Sequence, residues 1–391
     1  MDRIVVVGAS VAGVNAVETL RKNGFGGEIT LVGAEPELPY DRPPLSKDAL
    51  KTGPGAAPAA LQSPEWYPEH GITLRLGQPA AGLSAADRQV TLADGSSLRY
   101  DGLVVATGSA VRAWGQSART GPVRTLRTLS DAAALHGELR PGRHVVIIGA
   151  GFIGLEIAAT ARELGLDVSV IEIEAAPLAR VLGAETGRWF AELHAANGVS
   201  MRCGSRIERM ERSGGQTKIE LSDGTGLTAD VVVAGVGVTP ATAWLARSNI
   251  SIDDGIVCDE RLRTTLPGVV AAGDIARWHN PLFGHDMRVE HWLNAVEQGQ
   301  HAALSLLGSD EPYTHVPYFW SDQFDAKIHS VGITADADTS AVRRLDANGI
   351  SVVFGRRGLV CGALCVNSPR DIAHYRQAIR NRTPWNDLVP R

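Results

Sequence analysis

Twice in this chain a run of β-branched residues meets a glycine-rich turn and then a helical pattern, and that repeat constrains the fold more than any other feature. The first copy reads Ile4-Val5-Val6-Val7-Gly8-Ala9-Ser10-Val11-Ala12-Gly13, followed by apolar Val14, Val17 and Leu20 at helical spacing. Gly24 suits a helix C-terminus, and Glu28 to Val32 reads as the returning strand. The second copy, His144-Val145-Val146-Ile147-Ile148-Gly149-Ala150-Gly151-Phe152-Ile153-Gly154, starts about 140 residues later. Its helix runs to Leu164, Gly165 ends it, and Val168 to Ile171 returns. A strand, glycine turn and helix aim backbone N–H groups and the helix dipole at a pyrophosphate, so two such units predict two nucleotide sites.

The second loop, Gly149-x-Gly151-x-x-Gly154, is a complete dinucleotide motif in its required context. Glu172 follows Gly154 by 18 positions at the end of the returning strand. A carboxylate there accepts from both ribose hydroxyls and repels a 2′-phosphate, which favours NADH over NADPH; the alternative is a strand-end charge facing water. The first loop carries Ser10 in place of the second glycine, and Glu35 follows Gly13 by 22 positions. Of Ala34 and Glu35, only Glu35 has a side chain suited to a ribose.

Three further apolar runs end in glycine: 103–108, 231–235 and 269–273. Continuous rather than alternating apolar character predicts parallel strands covered on both faces. From about Tyr313 the texture changes to clustered aromatics (Tyr318, Phe319, Trp320, Phe324) and shorter strands such as 351–354. The predicted fold is α/β, with two Rossmann-like nucleotide-binding domains and a C-terminal α+β domain. For 391 residues, at about 150 per domain, two or three domains are expected.

The formal net charge of −5 disfavours nucleic-acid binding. Among Cys203, Cys258, Cys361 and Cys365 none are two apart and no neighbouring His completes a ligand set, so neither a structural zinc site nor any other metal is expected. Four scattered thiols fit a reducing compartment. The strand begins at Ile4, leaving no room for a signal peptide, and no apolar run approaches a membrane span, so a cytoplasmic protein is expected. The closing Leu388-Val389-Pro390-Arg391 is either native or a tag remnant.

Over essentially its whole length the chain resembles the FAD-containing, NADH-dependent ferredoxin reductases of bacterial oxygenase systems, the group of the putidaredoxin, rubredoxin and biphenyl-dioxygenase reductases. The resemblance rests on both loops, on Pro39-Tyr40-Asp41-Arg42-Pro43-Pro44-Leu45-Ser46-Lys47 and on Ala106-Thr107-Gly108. It continues through Glu156, Gly235-Val236-Gly237-Val238-Thr239-Pro240, Gly273-Asp274 and Tyr318-Phe319-Trp320-Ser321-Asp322-Gln323. It implies a glutathione-reductase-like plan: a discontinuous FAD domain (1–108 and 240–314), an NAD domain (109–239) and an interface domain (315–391).

The resemblance also implies site residues. FAD contacts would be Gly8, Ala12, Gly13, Glu35, Arg42, Lys47, Ala80, Arg127, Asp274 and Trp292. Ala80 is smaller than the apolar residue relatives set against adenine, so that contact is weakened or shifted. Lys47 would stand near the reactive edge of the flavin. NAD contacts would be Gly149, Gly151, Ile153, Gly154, Glu156, Glu172, Gly235 and Gly237. Glu156, read as lying in the first turn of its helix, would orient the nicotinamide carboxamide beside Lys47. Trp292 and Trp320 would wall the flavin, unless they are simple core residues, and Asp274 could equally cap a helix.

The implied activity passes electrons from NADH through FAD to a ferredoxin-type iron–sulfur protein or rubredoxin, which feeds a cytochrome P450 or Rieske-type oxygenase. A monomer or homodimer is expected. With no cysteine before Cys203, thiol relay chemistry beside the first loop is excluded. An apoptosis-inducing-factor-like binding protein would want basic surface and targeting segments. A flavin monooxygenase would lack the Arg-Pro-Pro-Leu-Ser-Lys and Phe-Trp-Ser-Asp-Gln strings. Docking of an acidic partner calls for basic surface, for which Arg343, Arg344, Arg356, Arg357, Arg376, Arg380 and Arg382 are candidates.

Overall fold

The computed structural model describes residues 1–53, 58–114, 123–344 and 349–389, and the side chains of Arg343 and Arg344 lie outside that description, as do Pro390 and Arg391. The chain forms two compact units: Met1–Asp41, Ala59–Ala110 and Thr239–Pro317 make the first, and Arg42–Pro58, Val111–Val238 and Tyr318–Arg391 the second.

In the first unit a five-stranded parallel sheet runs in the order Val269–Ala271, Gly102–Val105, Arg3–Val7, Glu28–Val32 and Ile72–Arg75. The strand Arg3–Val7 sits in the middle and is buried on both faces from Ile4 to Val7, as its unbroken β-branched run requires. The helix Val11–Lys22 packs on it and on the helix Trp292–Leu306. A Cβ at Gly299 would stand 2.2 Å from the Ala12 carbonyl, so glycine is what lets these two helices approach. An antiparallel three-stranded sheet, Ala80–Ser84, Gln89–Leu92 and Ser97–Arg99, belongs to the same unit.

The second unit repeats the plan. Its parallel sheet runs Val199–Cys203, Asp167–Glu172, His144–Ile148 and Val231–Ala234, with the helix Phe152–Glu163 following the central strand. Leu164 and Gly165 (φ +79°) close that helix where the sequence placed its end. Tyr318–Gln323, Ala326–Gly332, Leu359–Val366, Ile350–Arg356 and Thr339–Arg344 form an antiparallel sheet, covered by the helix Pro369–Arg380. The two parallel sheets and the C-terminal antiparallel sheet are the mixed α/β arrangement expected. Among the described residues, no helix is long and apolar enough to cross a membrane, and no cluster of three or more His, Cys, Asp or Glu could hold a metal.

Candidate functional site

In the first unit, the strand Arg3–Val7 delivers the chain to Gly8, which has φ +124°. A Cβ on Gly8 would meet the Ala106 carbonyl oxygen at 2.0 Å, and one on Gly13 would meet the Gly8 carbonyl at 1.9 Å. Both obstacles are backbone, so no side chain can be accommodated and the strand-to-helix turn stays tight. Ser10 is the N-cap of Val11–Lys22 but makes no capping hydrogen bond, and the first turn, with Ala12 and Gly13, holds no acidic residue. The orphan N–H groups and the positive end of the helix are thereby left for an external anion.

Glu35 is half-buried beyond the returning strand and accepts the Tyr40 hydroxyl at 2.5 Å, while Ala34 is exposed. Ala80 begins the antiparallel sheet and is half-buried against the core. Asp274 lies inside the short turn Gly273–Ile275, whose N-cap is Ala272. Its carboxylate accepts from Ser109 Oγ at 3.3 Å, and Gly273 N–H donates to Gln298 Oε1 at 2.8 Å. Trp292 opens its helix and donates Nε1–H to Asp41 at 2.8 Å; it is half-buried and packs against the core of the first unit.

The loop of the second unit has the same construction. A Cβ at Gly149 (φ +96°) would meet the Gly235 carbonyl at 2.5 Å, and one at Gly154 the Gly149 carbonyl at 2.3 Å. At Gly151, the N-cap, nothing lies within 4 Å of the Cβ position, and the cap again has no side chain to bond. Open space beside uncapped amides is what a pyrophosphate needs. By contrast the helix Leu129–Glu138, behind no glycine loop, carries a full Thr128–Asp131 capping box. Gly237 (φ +91°) is equally open. Ile153 and Ile173 are 50% and 56% exposed, apolar side chains held out beside the loop and the end of the strand. Glu172 Oε2 accepts Ala150 N–H at 2.7 Å and Oε1 accepts Glu174 N–H at 2.9 Å. A carboxylate has about four acceptor positions, so capacity for a ribose remains.

A polar cluster surrounds Glu156. The turn Pro43–Ser46 and the helix Asp48–Thr52 meet at Lys47, whose Nζ stands 3.0 Å from Glu156 Oε1; the two side chains are 19% and 4% exposed. Ser46 donates to Oε2 at 2.5 Å and Ser321 to Oε1 at 2.6 Å, while Thr160 donates to the Ser46 carbonyl at 2.8 Å. Glu156 is the fifth residue of Phe152–Glu163, beyond the first turn, which corrects the sequence reading: its carboxylate is held by these donors and not by the helix dipole. Arg42 Nη1 donates to the Arg127 carbonyl at 2.5 Å, and Arg127 N–H donates to Asp131 at 2.9 Å. Trp320 is half-buried, next to Ser321 in the strand and stacked on Tyr318 at 6.3 Å between ring centres.

Sequence reasoning gave no role to Ser46, Ser321 or Gln323, although all three stand inside the two strings it singled out. His194, which joins the same network through Gln323, carries no sequence signal at all. The four cysteines are free; burial raises the thiol pKa of Cys361 and Cys365 to about 11, and Cys258 is pushed up further by burial. Cys203 is half-buried, with burial and the neighbouring Glu172 both raising its pKa.

Residues 2–299 match the family model of the pyridine nucleotide-disulphide oxidoreductases, and residues 318–387 match a reductase C-terminal domain. Rhodocoxin reductase of Rhodococcus erythropolis is 38% identical over 97% of this chain and 90% of its own length. The ferredoxin--NAD(+) reductase component of the anthranilate 1,2-dioxygenase system of Burkholderia cepacia is 39% identical over 97% and 94%. Among solved structures, the covalent putidaredoxin reductase–putidaredoxin complex superposes with a TM-score of 0.91 at 34% identity, covering 98% of this chain and 94% of the other. Two glycine loops with open helix ends, followed by the antiparallel C-terminal sheet, are thus matched along the whole length: the chain belongs to the pyridine nucleotide-disulphide oxidoreductase family, in the form that carries a reductase C-terminal domain.

Proposed function

We propose that this protein is an FAD-dependent, NADH-preferring reductase that delivers single electrons to a ferredoxin-type iron–sulfur protein, or a rubredoxin, serving a cytochrome P450 or Rieske-type oxygenase. The observation that carries the reading is the pair of uncapped helix N-termini behind tight glycine loops, in a chain with no cysteine before Cys203. Two nucleotides are thereby accounted for, and no cysteine belongs to the first loop or to the residues that follow it as far as Arg202.

When bound, FAD supplies the conversion between hydride transfer and one-electron transfer. The residues that would hold it are Gly8, Ala12 and Gly13 at the pyrophosphate, Glu35 at a ribose, and Arg42, Lys47, Ala80, Arg127, Asp274 and Trp292 along the rest, with Trp320 as a wall. NADH falls to Gly149, Gly151, Ile153, Gly154, Gly235 and Gly237, with Glu172 reading the ribose. Glu156 accepts the amide of the nicotinamide, and Lys47, which it keeps in place, sets positive charge where reduction adds negative charge. The domain division proposed is 1–108 with 240–314 for FAD, 109–239 for NAD and 315–391 for the interface. Free thiols and the use of NADH support a cytoplasmic location.

Docking is assigned to the C-terminal arginines. The side chains of Arg343 and Arg344 lie outside the described residues, while Arg356 pairs loosely with Asp336 at 3.4 Å. Reversing Arg343 and Arg344 to glutamate is expected to raise the KM for the iron–sulfur partner and leave NADH-driven flavin reduction unchanged; an unaltered partner step removes these two from the docking face.

The test of the whole reading is an anaerobic titration with NADH and then NADPH, following oxidised-flavin absorbance. Bleaching at far lower NADH than NADPH supports it, and a colourless protein, or a yellow one indifferent to NADH, overturns it.

A further inference from the structure

The polar network around Glu156 does not end at Ser321. Gln323 Nε2 donates to Ser321 Oγ at 3.1 Å, and Gln323 Oε1 lies 3.0 Å from His194 Nε2. Ser321, Gln323 and His194 are all sealed from solvent, at 1%, 0% and 0% exposure. Ser321 and Gln323 point to one face of the strand Tyr318–Gln323, and His194 comes from the last turn of the helix Ala179–Ala196.

The donors can be ordered from chemistry alone. An amide oxygen only accepts, so His194 must donate from Nε2, which fixes its tautomer. The Gln323 amide N–H donates to Ser321, occupying a lone pair on that hydroxyl and turning its proton toward Glu156 Oε1. Every proton in the chain therefore points toward the carboxylate. His194 Nδ1 is buried with no hydrogen-bond partner among the described residues, so a second proton there would be unsatisfied. Burial accordingly lowers the His194 pKa and keeps the ring neutral.

We propose that His194 and Gln323 are positioning residues for Glu156, locking the Ser321 hydroxyl as a donor so that the carboxylate is held in one orientation against Lys47. The proposal rests on the reading of Glu156 as the group that orients the nicotinamide. A merely structural alternative exists in the edge contact of His194 with Phe324, ring centres 5.2 Å apart, and the experiment must separate the two.

The measurements use the flavin-containing protein as purified: wild type, His194→Leu, His194→Gln, Gln323→Met, Ser321→Ala and the His194→Leu/Ser321→Ala double variant. In anaerobic stopped flow, His194→Leu and Gln323→Met should each slow NADH-driven flavin reduction about tenfold, the rate equivalent of one hydrogen bond. His194→Gln, whose amide N–H takes the place of Nε2–H, should recover most of that loss. On the Ser321→Ala background His194→Leu should cost nothing further, because the link it works through is gone. A packing role predicts the same loss on both backgrounds, and that result overturns the proposal. A second readout needs no NADH: acetylation of Lys47 followed by peptide mass spectrometry should be faster in His194→Leu, Gln323→Met and Ser321→Ala than in wild type. Unchanged labelling in all three overturns the proposal whether or not NADH reduces the flavin; failure of wild-type reduction with faster labelling overturns only the function.

Discussion

At the scale of single residues, Glu156 and Glu172 show how the same side chain is put to two uses by its neighbours. Glu156 is 4% exposed and receives Ser46, Ser321 and Lys47. Glu156→Gln removes the charge that holds Lys47 and turns one acceptor into a donor facing other donors. The expected result is a slowing of NADH-driven flavin reduction by one to two orders of magnitude, and a stability loss of about 1–3 kcal/mol in urea unfolding. Glu172 instead faces two backbone amides and stays half-buried. Glu172→Ser combined with Ile173→Arg replaces a carboxylate by a small residue and puts a cation at an exposed neighbouring position. The ratio of kcat/KM for NADPH to that for NADH should rise by at least about tenfold, the equivalent of about 1.4 kcal/mol; an unchanged ratio means Glu172 does not read the ribose.

At the scale of elements, the two loops distinguish glycines that shape the turn from a glycine that leaves room for a ligand. Gly154→Ala sets a methyl group 2.3 Å from the Gly149 carbonyl, where neither backbone can yield without opening the strand–helix junction. A stability loss of about 1–3 kcal/mol, with poor NADH binding, should follow and be visible in thermal unfolding. Gly151→Ala meets nothing within 4 Å, so its melting temperature should match wild type while the KM for NADH rises. If Gly151→Ala instead leaves the KM unchanged, the open space beside the helix end is not where NADH lies. Helix ends at Gly24 and Gly165, and the strands, were legible in sequence because each has a local cause, a positive-φ glycine or a β-branched run.

At the scale of the whole molecule, acid sensitivity is built in through histidines held neutral. Burial lowers the pKa of His194 and His301, and burial with the neighbouring His315 pushes His291 down to about 3. Near pH 6 the unfolded chain binds more protons at these positions than the folded one. Their contribution is therefore fully present at pH values well above the ordinary histidine pKa of about 6.5 and is lost progressively as the pH falls through it. The urea midpoint should drop between pH 7 and pH 5, and the drop should be smaller in His194→Gln; a midpoint that is flat across this range contradicts the burial assigned to these rings.

Sequence alone determined the two strand–loop–helix units, the parallel core strands, the acidic residues following each loop and the absence of any cysteine before Cys203. All of these depend on spacing within some tens of residues, where backbone geometry turns residue order directly into position. Tertiary structure decided the rest. Glu156 was read as a first-turn residue beside Lys47; Lys47 is there, but Glu156 stands beyond the first turn, and its other donors, Ser46 and Ser321, are brought to it only by the packed chain. Asp41 on Trp292 and His194 behind Gln323 are likewise pairings between segments far apart in the chain. A hydrogen bond needs two atoms within about 3 Å, and no spacing along one chain specifies which distant donor will arrive there.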